Sequence, residues 1–456
     1  MSIWRSDGLR EVSFLSELRR VLRLPTIVST SAGLAFAAIN FLAVVQVAEL
    51  MAGDSAWLAI ITAGVLCLLA AGVFGELNAI MPSAAGIRLW TRQGISDGFS
   101  LTFTLLYLMT ILAVIAADSF ILAQAIEAGV PQIPGLLWIF LFLGAALFFN
   151  LRGVKMAGRV QDTTTYVLLA SLLLIGIAAI AHSHNAWHTP FSPGGGYLQA
   201  VAVGVFVFVG FEWVTPLAEE VTDSRLIPKG MFIAIGLIAI AFGLFSLAMT
   251  HLLPAGALTK TLVPQLLVGR TAFGALGFWW MLLVTVVTAG TTFNGSFVSA
   301  SRLLYALARE RSLPGWFSSL NDRFVPHRAL YLLFFISMVL AVLVFTTRAY
   351  EVLINTGAAL EAVMYVVAAY AVIGLRRRQP EAQRSFKLPF GTIIPWLTIV
   401  IFLVLAIGAA TSPSGLPGPV PWVLVLLVII GLLSFLYVRL YVPRLKARAK
   451  RRQASP

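Results

Sequence analysis

Long apolar stretches alternate with short polar ones along the whole chain. The apolar runs lie near residues 26–50, 55–77, 98–125, 135–151, 163–182, 196–221, 229–252, 272–308, 329–347, 351–375, 388–411 and 420–441. Most of them approach or exceed the roughly 20 residues that a helix needs to cross a hydrocarbon core of about 30 Å. The pattern predicts an all-α polytopic membrane protein with twelve transmembrane helices. An even number of crossings places both termini on one side.

Composition narrows the class. Hydrophobic residues make up 59% of the 456 and charged residues only 11%, with a mean hydropathy of +0.92. A soluble domain carries about 25% charged residues, so most soluble enzymes are excluded. The net charge of +13 raises the question of nucleic acid, but position answers it. With both termini cytoplasmic, all of the 32 Lys and Arg except Lys260, Arg270 and Arg348 fall in cytoplasmic segments or toward the cytoplasmic ends of the spans. That asymmetry orients a multi-pass protein in the cytoplasmic membrane, with the lipid bilayer and not nucleic acid as its environment. The basic run from Arg439 to Arg452 is read as part of this signal, with binding of anionic headgroups as the other reading.

Residues 1–24 are mixed and charged, with no apolar region ahead of a small-residue cleavage site, so no cleaved signal peptide is expected. The one cysteine, Cys67, permits no intrachain disulfide and no cysteine-based metal site. His182, His184 and His188 have a loose metal-like spacing but read as loop histidines. No metal site and no cofactor are expected. No polar segment is long enough for a second domain, which confines the chemistry to the bilayer and its faces.

Polar and helix-breaking residues inside apolar spans are therefore informative, because lipid tolerates them only where they line a cavity or another helix. The first span carries Ser29-Thr30-Ser31-Ala32-Gly33 and, further on, Asn40. In the sixth, Gly204 and Gly210 flank Val205-Phe206-Val207-Phe208-Val209, with Glu212 and Trp213 just beyond. Two interrupted helices at corresponding places in two successive sets of five point to a midplane site in an inverted-repeat transporter. Small-residue helix packing is the competing reading for the first run. Asp118, Glu212 and Glu361 lie inside the third, sixth and tenth spans, whereas every lysine lies outside. Such acids suit a proton site or a cationic substrate group; a carboxylic acid bonded to a neighbouring helix is the alternative. In the eighth span Thr288, Thr292 and Ser299 share a helical face, with Asn294 nearby, and are read as a candidate cavity wall.

Four segments resemble the amino acid, polyamine and organocation (APC) superfamily of secondary transporters. Glu76-Leu77-Asn78-Ala79-Ile80-Met81-Pro82-Ser83-Ala84-Ala85-Gly86 looks like its E-L-x-x-x-x-P-x-x-G-G segment. Asn150-Leu151-Arg152-Gly153-Val154-Lys155 matches N-x-R-G-V-K. Gly210-Phe211-Glu212 followed by Ala218-Glu219-Glu220 is similar to its sixth-span signature. Ala300-Ser301-Arg302 through Tyr305-Ala306-Leu307-Ala308-Arg309 is close to A-S-R-x-x-Y-A-x-A-R, with Leu313-Pro314 after it.

The resemblance implies a LeuT-like core of two inverted five-helix repeats within 26–375, with a cytoplasmic segment at 1–25. Two peripheral helices at 388–441 and a basic cytoplasmic tail at 442–456 complete the chain. It also implies alternating access, an unwound first span offering amides to the substrate, freed sixth-span carbonyls holding an amine, and Phe206 as a gate. Alignment with the family places Ala37-Ala38-Ile39 on its small-residue triplet, so Ile39 stands where glycine is usual. A lysine that many proton-coupled members carry in span five is replaced by Leu168. Those departures turn proton coupling toward Glu212, Glu361 and Asp118, and put recognition of a substrate carboxylate in question.

The expected function is a secondary active transporter for an amino acid or another small amine-bearing solute, driven by protons or else by sodium. Gly33, Ala37, Ala38, Ile39, Asn40, Phe206, Phe208, Gly210, Glu212 and Trp213 form the expected substrate region. The alternatives are a permease for amines, polyamines or amino alcohols, an exchanger, and a non-transporting sensor of the same fold. A membrane enzyme is disfavoured, since no nucleophile, base and oxyanion set is present. The sequence carries no sign of a partner chain or of an oligomeric state.

Overall fold

The computed structural model describes residues 20–181, 196–253, 255–411, 421–445 and 447. Every regular element among them is helical, and one isolated bridge joins Leu22 to Val221. The three loop histidines, residues 1–19 and nearly all of the tail beyond 445 lie outside the described residues.

The path begins with α1 (Leu24–Ala35), which breaks and resumes as a π-helical turn (Phe41–Gln46) leading into α2 (Val47–Ala52). A tight turn with Gly53 at φ 53° leads to α3 (Ala56–Ile80). Then come α4 (Gly86–Gly94), α5 (Asp97–Gly129), α6 (Gly135–Leu151) and α7 (Val154–Ala181). The second broken segment is α8 (Tyr197–Gly204) with two 3-10 stretches, Val205–Phe208 and Phe211–Leu217. It is followed by α9 (Leu226–Leu252), α10 (Ala255–Leu258), α11 (Pro264–Arg309), α12 (His327–Thr347), α13 (Tyr350–Arg378), α14 (Ile393–Ala410) and α15 (Trp422–Leu436). Among the described residues, ten stretches are long and apolar enough to cross a membrane, and Leu24–Ala35 and Gly135–Leu151 are shorter apolar helices.

Boundaries differ from the expectation where the apolar pattern is blind. The eighth apolar run was placed at 272–308, but α11 starts at Pro264 and its backbone leaves helical geometry at Phe273 (φ −136°) and Gly274 (φ 59°). Gly274 takes the left-handed conformation without a Cβ penalty, so the long stretch divides there. The amphipathic α4 is too short and too polar to register as an apolar run.

Burial separates centre from periphery. The most apolar windows of α5, of the second broken segment and of α13 are 83%, 78% and 78% buried, against 33% for α14 and 11% for the stretch beginning at Trp422. The site is therefore sought among the buried central elements and not at the periphery. α5 spans 33 residues, about 50 Å at 1.5 Å per residue, and lies against both α13 and α11.

Candidate functional site

Each broken segment frees carbonyls that hydrocarbon cannot satisfy, and side chains take over the lost backbone bonds. Asn40 Nδ2 donates to the Ala35 carbonyl at 2.7 Å and reaches Val207 O, across the break, at 3.4 Å. Ser31 Oγ donates to Phe211 O at 2.5 Å. Thr292 Oγ1 bonds Thr288 O at 3.2 Å and lies 3.5 Å from Phe36 O. The two breaks face one another. A Cβ placed on Gly210, whose φ is +110°, would stand 3.2 Å from the Leu34 carbonyl carbon and 3.3 Å from the Ala35 nitrogen. Only glycine gives both that backbone conformation and that approach.

Beside the breaks is a cavity of about 40 Å³. At roughly 10–15 Å³ per water, it has room for a few waters. Ala37, Ile39, Asn40 and Val44 line it from the first broken segment, and Phe206 and Val209 from the second. Val114 and Ala117 of α5 and Leu353, Ile354, Gly357 and Ala358 of α13 complete the wall. Phe206 also packs against the small cluster of Ala358, Ala359 and Ala409.

The three acids are fully buried and sit in two places. Asp118 Oδ1 accepts the Ile39 N–H at 2.8 Å, while its Oδ2 makes no hydrogen bond of standard geometry among the described residues. Glu212 receives the hydroxyls of Tyr107 at 3.2 Å and Tyr365 at 2.8 Å, one on each oxygen. Glu361 stands beside Glu212, Thr110 and Trp213, yet neither of its oxygens makes a hydrogen bond of standard geometry. Trp213 stacks on Tyr107 with ring centroids 4.0 Å apart, shielding this carboxyl pair.

Of the residues picked out in the sequence, Ala37, Ile39, Asn40 and Phe206 meet at the cavity. Others do not. Gly33 packs against Gln161 and Thr165, which leave no room for a Cβ, so it serves helix contact there. Phe208 is buried against Gly64, and Gly210, Glu212 and Trp213 lie outside the lining. The polar stripe of α11, expected as a cavity wall, lies elsewhere than this cavity. None of its members lines this cavity. Thr288 Oγ1 bonds its own helix at Val284 O, and Asn294 joins Gln161 Oε1 at 2.8 Å and the Asn150 amide at 3.0 Å. A hydroxyl or amide in a tightly packed helix interface finds a nearby carbonyl before it finds open space. Ser299 is buried with its hydroxyl unpartnered.

Tyr107, Tyr365, Thr110, Val114, Ala117, Leu353 and Ile354 were not anticipated. A buried tyrosine hydroxyl needs a partner, so Tyr107 and Tyr365 carried a signal; the aliphatic lining residues carried none.

The motif residues are tied together outside the cavity lining. Arg302 Nε bonds Glu220 Oε1 at 2.8 Å, with both side chains 1% exposed. Arg309 Nη2 reaches both oxygens of Glu219 at 2.9 Å, and Ser83 and the Ala84 amide share that carboxylate. Arg376 pairs with Glu76, which also accepts the Leu388 amide at 2.9 Å. Backbone bonds from Val21 and Leu22 to Glu220 O, at 2.9 and 3.0 Å, clamp the entering chain to the same point. Just past α11, burial pushes the Glu310 carboxyl up, with Arg88 and Arg92 opposing.

The comparisons accord with this architecture. The profile of a family described as "Amino acid permease" matches residues 22–435. The chain is 27% identical over 419 residues to the branched-chain amino acid permease BcaP of Bacillus subtilis, covering 85% of this chain and 86% of that one. It is 26% identical over 387 residues to the large neutral amino acids transporter small subunit 2 of Rattus norvegicus, with 78% and 72% covered. A manganese transporter of Eremococcus coleocola, solved with an aromatic bis-isothiourea substituted compound, shares the fold. Its TM-score is 0.63 at 14% identity, with 96% of this chain and 98% of that one covered. The relatives are permeases and transporters, not enzymes. With two broken helices facing each other at a small cavity and a family match over most of its length, the chain belongs to the amino acid permease family of the APC superfamily.

Proposed function

We propose that the protein is a secondary active transporter that moves an amino acid or a small organic amine across the cytoplasmic membrane by alternating access. In this reading the chain makes twelve crossings with both termini cytoplasmic, and two inverted sets of five surround the site. The observation that carries it is the apposition of the breaks at Gly210 and Leu34–Ala35, beside a cavity walled by both broken segments. The ion pairs of Glu220, Glu219 and Glu76 support a state closed at one end. The cavity, too small for an amino acid as it stands, would widen when substrate enters.

Coupling is assigned to protons, carried by Glu212 and Glu361. Two adjoining carboxyls in a low-dielectric interior cannot both be charged without large repulsion, so such a pair retains a proton that it can release when the surroundings change. No lysine stands at Leu168 to do this work. The test is uptake by purified protein in proteoliposomes, using a panel of labelled amino acids and their decarboxylated amines. An inward proton gradient should drive accumulation, and Glu361→Gln should abolish it while preserving exchange of internal for external solute. Absence of exchange for every compound would remove the transporter reading, and undiminished accumulation by Glu361→Gln would remove this residue from the proton path.

A further inference from the structure

We infer that Asp118 fills the anion seat of the first break from within, which makes the preferred substrate a small amine with an apolar body and no carboxylate. The inference rests on the transporter reading above and narrows its substrate class.

After the break the helix resumes and continues through the π-helical turn Phe41–Gln46 and α2 to Ala52. Of its leading N–H groups, those of Asn40 and Phe41 turn back to Ala37 O and Ala38 O at 3.0 and 3.3 Å, while that of Ile39 is directed to a side chain; such a terminus carries the positive end of the helix dipole, where an anion is stabilised. Ordinarily such a terminus would await a ligand. Here the carboxylate of Asp118, reaching over from α5, already accepts the Ile39 N–H at 2.8 Å, with the Ala38 amide and the Thr292 hydroxyl beside it. Asp118 is 0% exposed. Ile39, to which it bonds, and Ala117, which precedes it, both line the cavity.

Two consequences follow for an incoming solute. A substrate carboxylate would find the Ile39 amide taken and another carboxyl group already in place, with little water to screen the two from each other. An ammonium group could instead turn toward Asp118, directly behind the lining residues Ala117 and Ile39, whose buried Oδ2 makes no hydrogen bond of standard geometry among the described residues. The rest of the lining supplies Val44, Val114, Val209, Leu353 and Ile354, a wall suited to a hydrocarbon body and devoid of a cation that could hold a carboxylate.

The experiment is calorimetric titration of the purified full-length chain with leucine against 3-methylbutylamine and with phenylalanine against 2-phenylethylamine, accompanied by counterflow in proteoliposomes. The wild-type chain should bind each amine at least about tenfold more tightly than its amino acid. Asp118→Gly should free the seat, weakening the amines by about tenfold and strengthening the amino acids by a similar factor. The near-isosteric Asp118→Asn should weaken the amines with no gain for the amino acids. This second variant keeps the test alive if Asp118→Gly does not fold. Tighter binding of the amino acids by the wild-type chain, or amine affinity in Asp118→Asn within about twofold of wild type, would overturn the inference and leave the transporter reading standing. Absence of binding and of counterflow for all four compounds would remove both.

Discussion

Tyr365 donates its hydroxyl to Oε2 of Glu212 at 2.8 Å, joining α13 to the second broken segment across 153 positions of sequence. Tyr107 holds the other oxygen from α5. Three separate stretches of chain thus converge on one buried carboxyl group, and the neighbouring Glu361 is left without comparable hydrogen bonds. One acid is held by two hydroxyls, and its neighbour makes no hydrogen bond of standard geometry among the described residues.

Replacing Tyr365 with Phe removes one of the two donors and strands a buried acceptor. The expected cost is about 1–3 kcal/mol of stability. A lowered unfolding temperature and slower gradient-driven uptake should appear together in the purified variant. Wild-type values in both would mean that Glu212 does not depend on this bond.

Gly210 holds a positive φ of +110° against the backbone of Leu34 and Ala35. Gly210→Ala forces a Cβ into that contact and into an unfavourable conformation, at a cost of about 1–3 kcal/mol. We expect uptake to fall by about tenfold or more, because the breaks can no longer approach. Gly236→Ala is the control, since nothing lies within 4 Å of a Cβ there; its transport should match wild type. Equal activity of the two variants would show that close apposition of the breaks is dispensable.

The Arg302–Glu220 pair is buried on both sides. Losing one partner leaves an uncompensated charge, so Arg302→Met should destabilise the protein by about 3–5 kcal/mol. Adding Glu220→Gln should recover most of that loss, because a buried pair replaced as a unit is often nearly neutral. Thermal unfolding of the two single variants and the double variant measures the coupling directly. Additive losses would mean that the two side chains act independently.

Part of the lining of the candidate cavity was legible before any coordinates. Gly210 and Asn40 stood out because lipid penalises helix breakers and amides, and both sit at the breaks. Phe206 and Ile39 were reached through the resemblance, and both line the cavity. Gly33 is ambiguous for a physical reason. A small residue that admits a ligand and one that admits a neighbouring helix look identical in sequence, and here Gln161 and Thr165 occupy the space. The polar stripe of α11 is ambiguous in the same way, because hydroxyl spacing marks a face but not what covers it.

Local chemistry was enough to show a helical membrane protein, its apolar spans and the places where helix must fail. Apolar length and broken patterns act within a few turns of chain, so they are written in consecutive residues. Which acid would meet which partner depended on packing. The Ile39 amide found Asp118 79 residues away, and Glu212 found Tyr365 at almost twice that separation. Such pairings arise when several helices compete to satisfy the same buried donors and acceptors, and that competition is resolved only in three dimensions.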